Sequence, residues 1–422
     1  MGEDQPLKVA GAGGAWKWVR VGDIGRFGSG SGFPVRYQGR AQGDYPFFKV
    51  SDMNRDGNDV FLTESGNHIT EHTRQLLGAA AFPPKSIVFA KVGAAVFLDR
   101  KRILAQPSCL DNNMAAFVLT DERVDISFVY FLLLTIRFSA FANTTALPAL
   151  SGTALSEIRL HLPPLPEQRT IAAVLSDVDE LIGSLEALIA KKRAIKQAAM
   201  QELLTGRKRL PGFGGEWETV TFADAANIRN GGTPRTGVPA YWGGRIPWCV
   251  PTDITASRGK YLVTTTRNIT SEGLASCGAS LLPPGSLLLC SRATIGEIKI
   301  ASMPVATNQG FKSMVCADSV DNDFLYYRLV TLKERMIDLA TGSTFLEISK
   351  RDLGNIDFVL PPLPEQRAIA TVLSDMDSEI TALEQHLGKT RAIKQGMMQQ
   401  LLTGSIRLPI PDADTEDVAH DA

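Results

Sequence analysis

Apolar residues at Ile171, Val174, Leu175, Val178, Leu181, Ile182, Leu185, Leu188 and Ile189 recur three and four positions apart, and Ile195, Ala199, Leu203 and Leu204 continue the same face. That spacing predicts a helix with one broad apolar stripe. The pattern returns at Ile369, Val372, Leu373, Met376, Ile380, Leu383, Leu387, Ile393, Met397 and Leu401. Pro166 and Pro364 suit a first helical position, and Glu167 and Glu365 are favourable beside the positive end of the helix dipole. Gly206 and Gly404, each in Leu-Leu-Thr-Gly, are natural stops. Each predicted helix runs for about 38 residues, or roughly 57 Å at 1.5 Å per residue.

Between these helices the periodicity changes. SIVFAKV (86–92), KYLVTTT (260–266) and GSLLLC (285–290) predict strands, whereas FVYFLLLTIRF (128–138) and DFLYYRLVTLKERMIDLA (323–340) predict helices. Two mixed α/β units of about 150 residues each follow, in keeping with usual domain sizes.

The two halves are copies. Residues 162–211 and 360–409 align without gaps and share 33 of 50 positions, beginning with LPPLPEQR in both. An internal repeat is the only reasonable source. Fainter matches precede each copy: Trp16, Val19, Asp23 and Gly30 with Trp217, Val220, Asp224 and Gly231; Asp52 with Asp253; and DNNMAAFV (111–118) with TNQGFKSMV (307–315), which pairs Asn112 with Asn308. A stripe of this kind needs a partner, and the obvious partner is its twin. Antiparallel packing predicts a dumbbell, with a coiled-coil rod holding two heads apart.

Composition narrows the function. The formal net charge of −1 announces no nucleic-acid binder. The last twelve residues carry five acids and no Lys or Arg, leaving 44 basic against 40 acidic residues elsewhere, and read as a disordered acidic tail. Five scattered cysteines fit a reducing cytosol. The longest apolar stretch, 126–136, is far short of the roughly 20 residues of a membrane span. The first sixteen residues lack the layout of a secretory leader. A cytoplasmic protein is the expectation.

A search for catalytic chemistry finds none. His68 and His72 are four apart, but HITEH lacks the glutamate of a zinc-protease helix. No cysteine pair has zinc spacing. Neither head shows a glycine-rich S-adenosylmethionine loop, and Glu297-Ile298-Lys299 lacks the upstream partner of a nuclease site. PPLP reads as the turn into a helix rather than a polyproline ligand, and LGKTR (387–391) falls mid-helix. No catalytic residue, metal site or cofactor is expected in this chain. Two Gly/Pro-rich loops, 25–40 and 229–245, interleave Arg with aromatic residues and suit close approach to a nucleic acid.

The doubled LPPLPEQR…RAIKQ…LLTG, behind a head carrying GGTP, YWGG, IPW and TNQGF, closely resembles the specificity subunit of type I restriction-modification enzymes. The resemblance covers residues 16 to 409, and is clearer in the second head than in the first, where GSGSGFP and DNNMAAF depart from it. It implies α/β (α+β) target recognition domains, two in tandem, joined by two long helices packed as an antiparallel coiled coil with internal pseudo-twofold symmetry. The implied divisions are 1–161, first recognition domain; 162–211, central helical spacer; 212–359, second recognition domain; 360–410, second spacer; and 411–422, tail. Each head would read one half of an asymmetric bipartite site on double-stranded DNA. The noncatalytic chain would dock two methyltransferase subunits, acting on adenine N6, and restriction/translocase subunits; S-adenosylmethionine, ATP and Mg are expected on those partners.

Candidate base or phosphate contacts are Arg36, Arg40, Lys49, Asn54, Arg55, Asn112 and Asn113 in the first head. In the second they are Arg235, Arg245, Thr252, Arg258, Lys260, Arg292, Asn308, Gln309 and Lys312. Arg suits guanine and Asn or Gln suits adenine in the major groove. The spacer is expected to rest on Pro166, Glu167, Ile171, Leu175, Val178, Ile182 and Leu185, with Pro364, Glu365, Ile369, Leu373, Met376, Ile380 and Leu383. Two readings from other classes stay open: a self-contained DNA nuclease, and a coiled-coil adaptor without sequence readout.

Overall fold

Within each head a continuously apolar strand lies inside a sheet covered on both faces. The computed structural model describes residues 16–143, 147–342 and 346–408; the acidic segment 411–422 lies outside them. Ile87–Ala90 is a central strand in the first head, and its side chains alternate between two cores. Ile87 and Phe89 meet the helix Ile126–Thr135, while Val88 joins Phe48, Met53, Leu62 and Phe82. A strand buried on both faces has no polar face to show, which is why its sequence is a continuous apolar run. Leu287–Cys290 repeats the arrangement, with Leu287 and Leu289 in one core and Leu288 and Cys290 in the other.

The sheet has five strands in the same order twice. In the first head it runs Gly25–Ser29, Met114–Leu119, Ile87–Ala90, Lys101–Leu104, Phe61–Leu62. In the second it runs Ala226–Asn230, Phe311–Cys316, Leu287–Cys290, Ile298–Ala301, Tyr261–Leu262. A three-stranded sheet accompanies each: Tyr45–Phe48 between His68–Ile69 and Cys109–Leu110, and Trp242–Cys249 between Arg267–Ile269 and Ala306–Thr307. A two-stranded ribbon, Lys17–Arg20 with Arg159–Leu162 or Glu218–Thr221 with Asp357–Leu360, leads to each long helix.

Three local expectations need correction. Only Tyr261–Leu262 of 260–266 is strand. The helix expected over 323–340 is two, Asn322–Thr331 and Lys333–Asp338, because Leu332 leaves helical geometry (φ −103°, ψ 11°). The long helices, Leu165–Leu203 and Leu363–Leu401, begin one residue before Pro166 and Pro364.

The chain divides into two compact units, one of the described residues up to 183 with those from 389 onward, the other of 184–388. Each therefore takes a head and a piece of both long helices, so the units cut across the expected spacer segments. In the first unit Ile171, Ala172 and Leu175 share a core with Leu401 and Leu402 and with Phe128 and Phe131 of the head. In the second, Met200 and Leu203 share one with Ile369, Ala370, Leu373 and Phe324. Within each unit the helix pieces are antiparallel. Glu167 meets Arg407 and Asp179 meets Lys394 in the first; Glu365 meets Arg209 and Asp377 meets Lys196 in the second. Every residue of one set lies 198 positions from its counterpart, so the repeat in sequence is a repeat in contacts.

Ile171, Leu175, Leu185, Ile369, Leu373 and Ile380 are buried, whereas Val178, Ile182, Met376 and Leu383 are half-buried. Leu181, Leu188, Ile195 and Ile393, which periodicity places in the stripe, are exposed. One partner helix covers a narrower face than the full stripe. Glu167 and Glu365 do more than complement a helix dipole: each is buried under an arginine, with side-chain exposures of 0% and 1%. The copies also differ. Tyr327 donates a hydrogen bond of 2.7 Å to Asp377 Oδ2, whereas Phe131 stands in the corresponding helix and the buried Asp179 Oδ2 has no hydrogen-bond partner among the described residues. No helix among the described residues is long and apolar enough to cross a membrane.

Candidate nucleic-acid interface

Backbone hydrogen bonds gather four loops at one end of each head. In the first, Gly30 N–H donates to the Met114 carbonyl (3.0 Å) and Ser31 N–H to that of Leu110 (2.9 Å). Asp111 N–H donates to the Phe48 carbonyl (2.9 Å) and Lys91 N–H to that of Asn113 (2.8 Å). The second head repeats this: Gly232 to Thr307 (2.9 Å), Asn308 to Cys249 (3.1 Å) and Ser291 to Gly310 (2.8 Å). The glycine-rich loop, the segment after the middle strand of the small sheet, the loop after the central strand and the turn at 111–113 or 308–310 therefore meet.

Glycine is required where they cross. A Cβ on Gly30 would lie 1.9 Å from the Asp111 carbonyl oxygen, and one on Gly231 would lie 1.8 Å from that of Asn308. These clashes also fix the alignment of the heads: Asp111, not Asn112, corresponds to Asn308, and Asn112 corresponds to Gln309. TNQGFKSMV has one residue more than DNNMAAFV, and matching asparagine to asparagine shifts the two by that residue. Asp111 Oδ1 accepts from Asn113 N–H (3.0 Å), and Asn308 Oδ1 accepts from Gly310 N–H (2.9 Å). Both side chains shape the turn. Burial pushes the Asp111 carboxyl above the usual range, against the lowering effect of that hydrogen bond. Asp52 and Asp253 are likewise structural, accepting from the Lys49 and Val250 N–H groups at 2.8 and 2.9 Å.

What varies is the side chains on this common edge. In the first head Asn112 and Asn113 are exposed on the turn. Lys49 Nζ donates to Gln38 Oε1 (2.9 Å), and Lys91 Nζ donates to Ser29 Oγ (2.8 Å). Arg36 lies over its neighbour Tyr37, and Arg40 is exposed where its carbonyl accepts from His68 N–H (2.8 Å). In the second head Gln309 is exposed on the turn and accepts from Thr233. Asn308 is half-buried, Thr252 is exposed in the helix Pro251–Ala256, Arg235 is exposed in the glycine-rich loop and Arg245 on its bulged strand.

Other candidates are placed elsewhere or are already engaged. Lys260 pairs with Asp323 (2.5 Å) and donates to Ser374 on the long helix (2.6 Å), so it ties the second head to its own helix. Arg258 lies in the same turn, beyond Ser257, whose carbonyl is held by Lys299 (2.9 Å). Asn54 and Arg55 are at the far end of their 3-10 turn, and Arg55 pairs with Asp52 (2.9 Å). Arg292 and the nearly buried Lys312 share Glu347, at 2.7 and 2.9 Å. A lysine in a loop reads the same in sequence whether a carboxylate faces it or not. Gln38, Lys91, Thr233 and Arg267 join the edge without having been singled out by sequence; only Lys91, a lone cation directly after a strand, carries a local signal.

Burial pushes the Glu347 carboxyl up, but Lys312 and Arg292 outweigh it and hold the group below its ordinary 4.5. A carboxyl with a depressed folded value stabilises above its unfolded value, and loses that contribution as pH falls through the folded one. The melting temperature of the second unit should therefore drop as pH falls below about 4.5. Glu347→Gln should flatten that part of the profile in a calorimetric pH series.

A family model described as "Type I restriction modification DNA specificity domain" matches residues 14–194 and again 214–395. The chain belongs to that family. Among its relatives, the Type I restriction enzyme MjaVIII specificity subunit of Methanocaldococcus jannaschii is 25% identical over 419 residues, 93% of each chain. The MjaIX specificity subunit of the same organism is 38% identical over 167 residues, a match that spans only 39% of each chain. The EcoprrI specificity subunit of Escherichia coli is 32% identical over 172 residues, 39% of this chain and 41% of that one. The fold of this specificity-family chain is also similar to a crystal structure of the type I restriction-modification S subunit from M. genitalium, with TM-score 0.59, 14% identity, and coverage of 92% of this chain and 96% of that one. A chain from a structure of the assembly and conformational transition of the type I R-M system gives TM-score 0.57 at 20% identity, over 95% of this chain and all of that one.

Proposed function

We propose that this chain is the DNA-specificity subunit of a type I restriction-modification complex, with each head reading one half of an asymmetric bipartite site. The observation that carries the reading is the loop edge built twice on one hydrogen-bonded scaffold and furnished with different side chains. The first head carries Asn112, Asn113, Lys49 and Lys91 on this edge, whereas the second carries Gln309, Thr233, Arg235 and Arg267, and of these Asn112 and Gln309 occupy matching positions. A scaffold that repeats while its edge varies is what independent readout of two unlike half-sites requires.

The chain itself is noncatalytic. Two methyltransferase subunits carry S-adenosylmethionine and methylate adenine N6, and restriction subunits supply ATP-driven translocation. The matched ion pairs of the helix pieces give two like partners two equivalent docking places. The helices set the number of unread base pairs between the half-sites.

Co-expression with the neighbouring methyltransferase and mapping of N6-methyladenine by long-read sequencing tests this. A bipartite motif should depend on the chain. Exchanging residues 16–161 for the first head of another family member should change one half-site and leave the other intact. Change in both halves, or methylation independent of the chain, rejects the proposal.

A further inference from the structure

In the second head two tryptophans close the glycine-rich loop and hold an arginine at its edge. Trp248 Nε1 donates to the Gly232 carbonyl (3.0 Å) and Trp242 Nε1 to that of Arg235 (3.3 Å), so each indole pins one point of the loop. The rings meet edge-to-face, with centroids 5.0 Å apart. The Arg267 guanidinium lies 3.7 Å from the Trp242 ring centroid and 5.4 Å from that of Trp248. Arg267 is paired across the sheet with Trp248, next to Cys249, whose carbonyl accepts from Asn308 N–H. It therefore stands at the same end of the head as the recognition turn.

Three features together single it out. Among the described residues no carboxylate pairs with it, unlike Lys260, Arg292 and Lys312. It is exposed, yet its guanidinium rests on the Trp242 ring, which restrains a side chain that a bidentate contact would otherwise have to order. The first head has no counterpart: the corresponding strand position is Asn67, and the aromatic pair there is Phe33 stacked on Phe47 at 3.8 Å.

We infer that Arg267 is a specificity-determining residue of the second head, reading one guanine through a bidentate contact to its major-groove edge, with Trp242 as its positioning residue. A planar fork held in one orientation matches the paired acceptors O6 and N7 of guanine, which an ammonium on a flexible stem does not. This rests on the specificity-subunit reading above.

The test is the N6-methyladenine map of the full complex carrying Arg267→Lys, Arg267→Ala or Trp242→Leu. Both arginine variants should relax one guanine position, in the half-site that changes when residues 212–359 are exchanged. Discrimination there should fall by roughly 5- to 150-fold, the span of one good bidentate contact. Trp242→Leu should weaken the same position, and all other positions should stand. If methylation falls uniformly with no position relaxed, Arg267 holds a phosphate and the inference is wrong; an unchanged map also overturns it. Arg267→Lys keeps the charge and the stem, so it decides the matter should the alanine variant not fold. A wild-type map without any chain-dependent bipartite motif defeats the proposed function instead.

Discussion

Arg209→Ala should clearly destabilise the second unit, because it leaves the buried Glu365 carboxylate without its charged partner. Arg209 holds Glu365 through two parallel hydrogen bonds of 2.5 and 2.6 Å, and Trp217 Nε1 adds a third at 3.1 Å. The carboxylate has almost no contact with water, so without the guanidinium one weak donor is left to compensate a desolvated charge. Arg209→Lys should recover little, since an ammonium cannot make the paired contact. The double variant Arg209→Ala/Glu365→Gln should recover much of the loss, because no buried charge remains. Arg407→Ala is the same experiment on Glu167 in the first unit. Urea unfolding of the full chain, followed by circular dichroism, reads all four; an unchanged urea midpoint for Arg209→Ala, as surface pairs give, would show that the bridge is not buried in solution.

Under the bipartite readout proposed above, Gly231→Ala should abolish recognition of the second half-site while leaving the first intact, and Gly30→Ala should do the reverse. The added methyl group would overlap a backbone oxygen, of Asn308 or Asp111, which no rotamer change can move away. Relief requires the glycine-rich loop to separate from the 308–310 turn, breaking the bond from Gly232 N–H to Thr307. Overpacking of this kind costs about 1–3 kcal/mol or more, so the unit should stay folded with its recognition edge displaced. The methylation map of each variant, alongside its melting curve, provides the measurement. A normal motif from Gly231→Ala would mean that the crossing of these loops does not support readout.

Much of the fold is legible in the residues alone. The long helices announce themselves because an apolar stripe facing one partner must repeat every three to four residues, and because the second copy repeats the first. Ile87–Ala90 and Leu287–Cys290 are equally plain, since a strand covered on both faces has no polar position. The break at Leu332 is hidden, because DFLYYRLVTLKERMIDLA has neither glycine nor proline to mark it. The pairing of Asp111 with Asn308 is hidden as well, because one extra residue shifts an ungapped comparison and only the clash at Gly30 and Gly231 restores it.

The sequence by itself determined that this chain is a duplication, that its repeated parts are helices with one apolar face, and that its unlike parts are mixed α/β heads. Those properties depend on neighbours within a turn of helix, along one strand, or in the twin copy. Only the tertiary structure decided which charges are free. Lys260, Arg292 and Lys312 are held by Asp323 and Glu347, 63, 55 and 35 residues away, whereas Arg267 lies on an indole 25 residues distant. An ion pair or a stack is short-ranged in space but indifferent to separation along the chain, so no local pattern reports it.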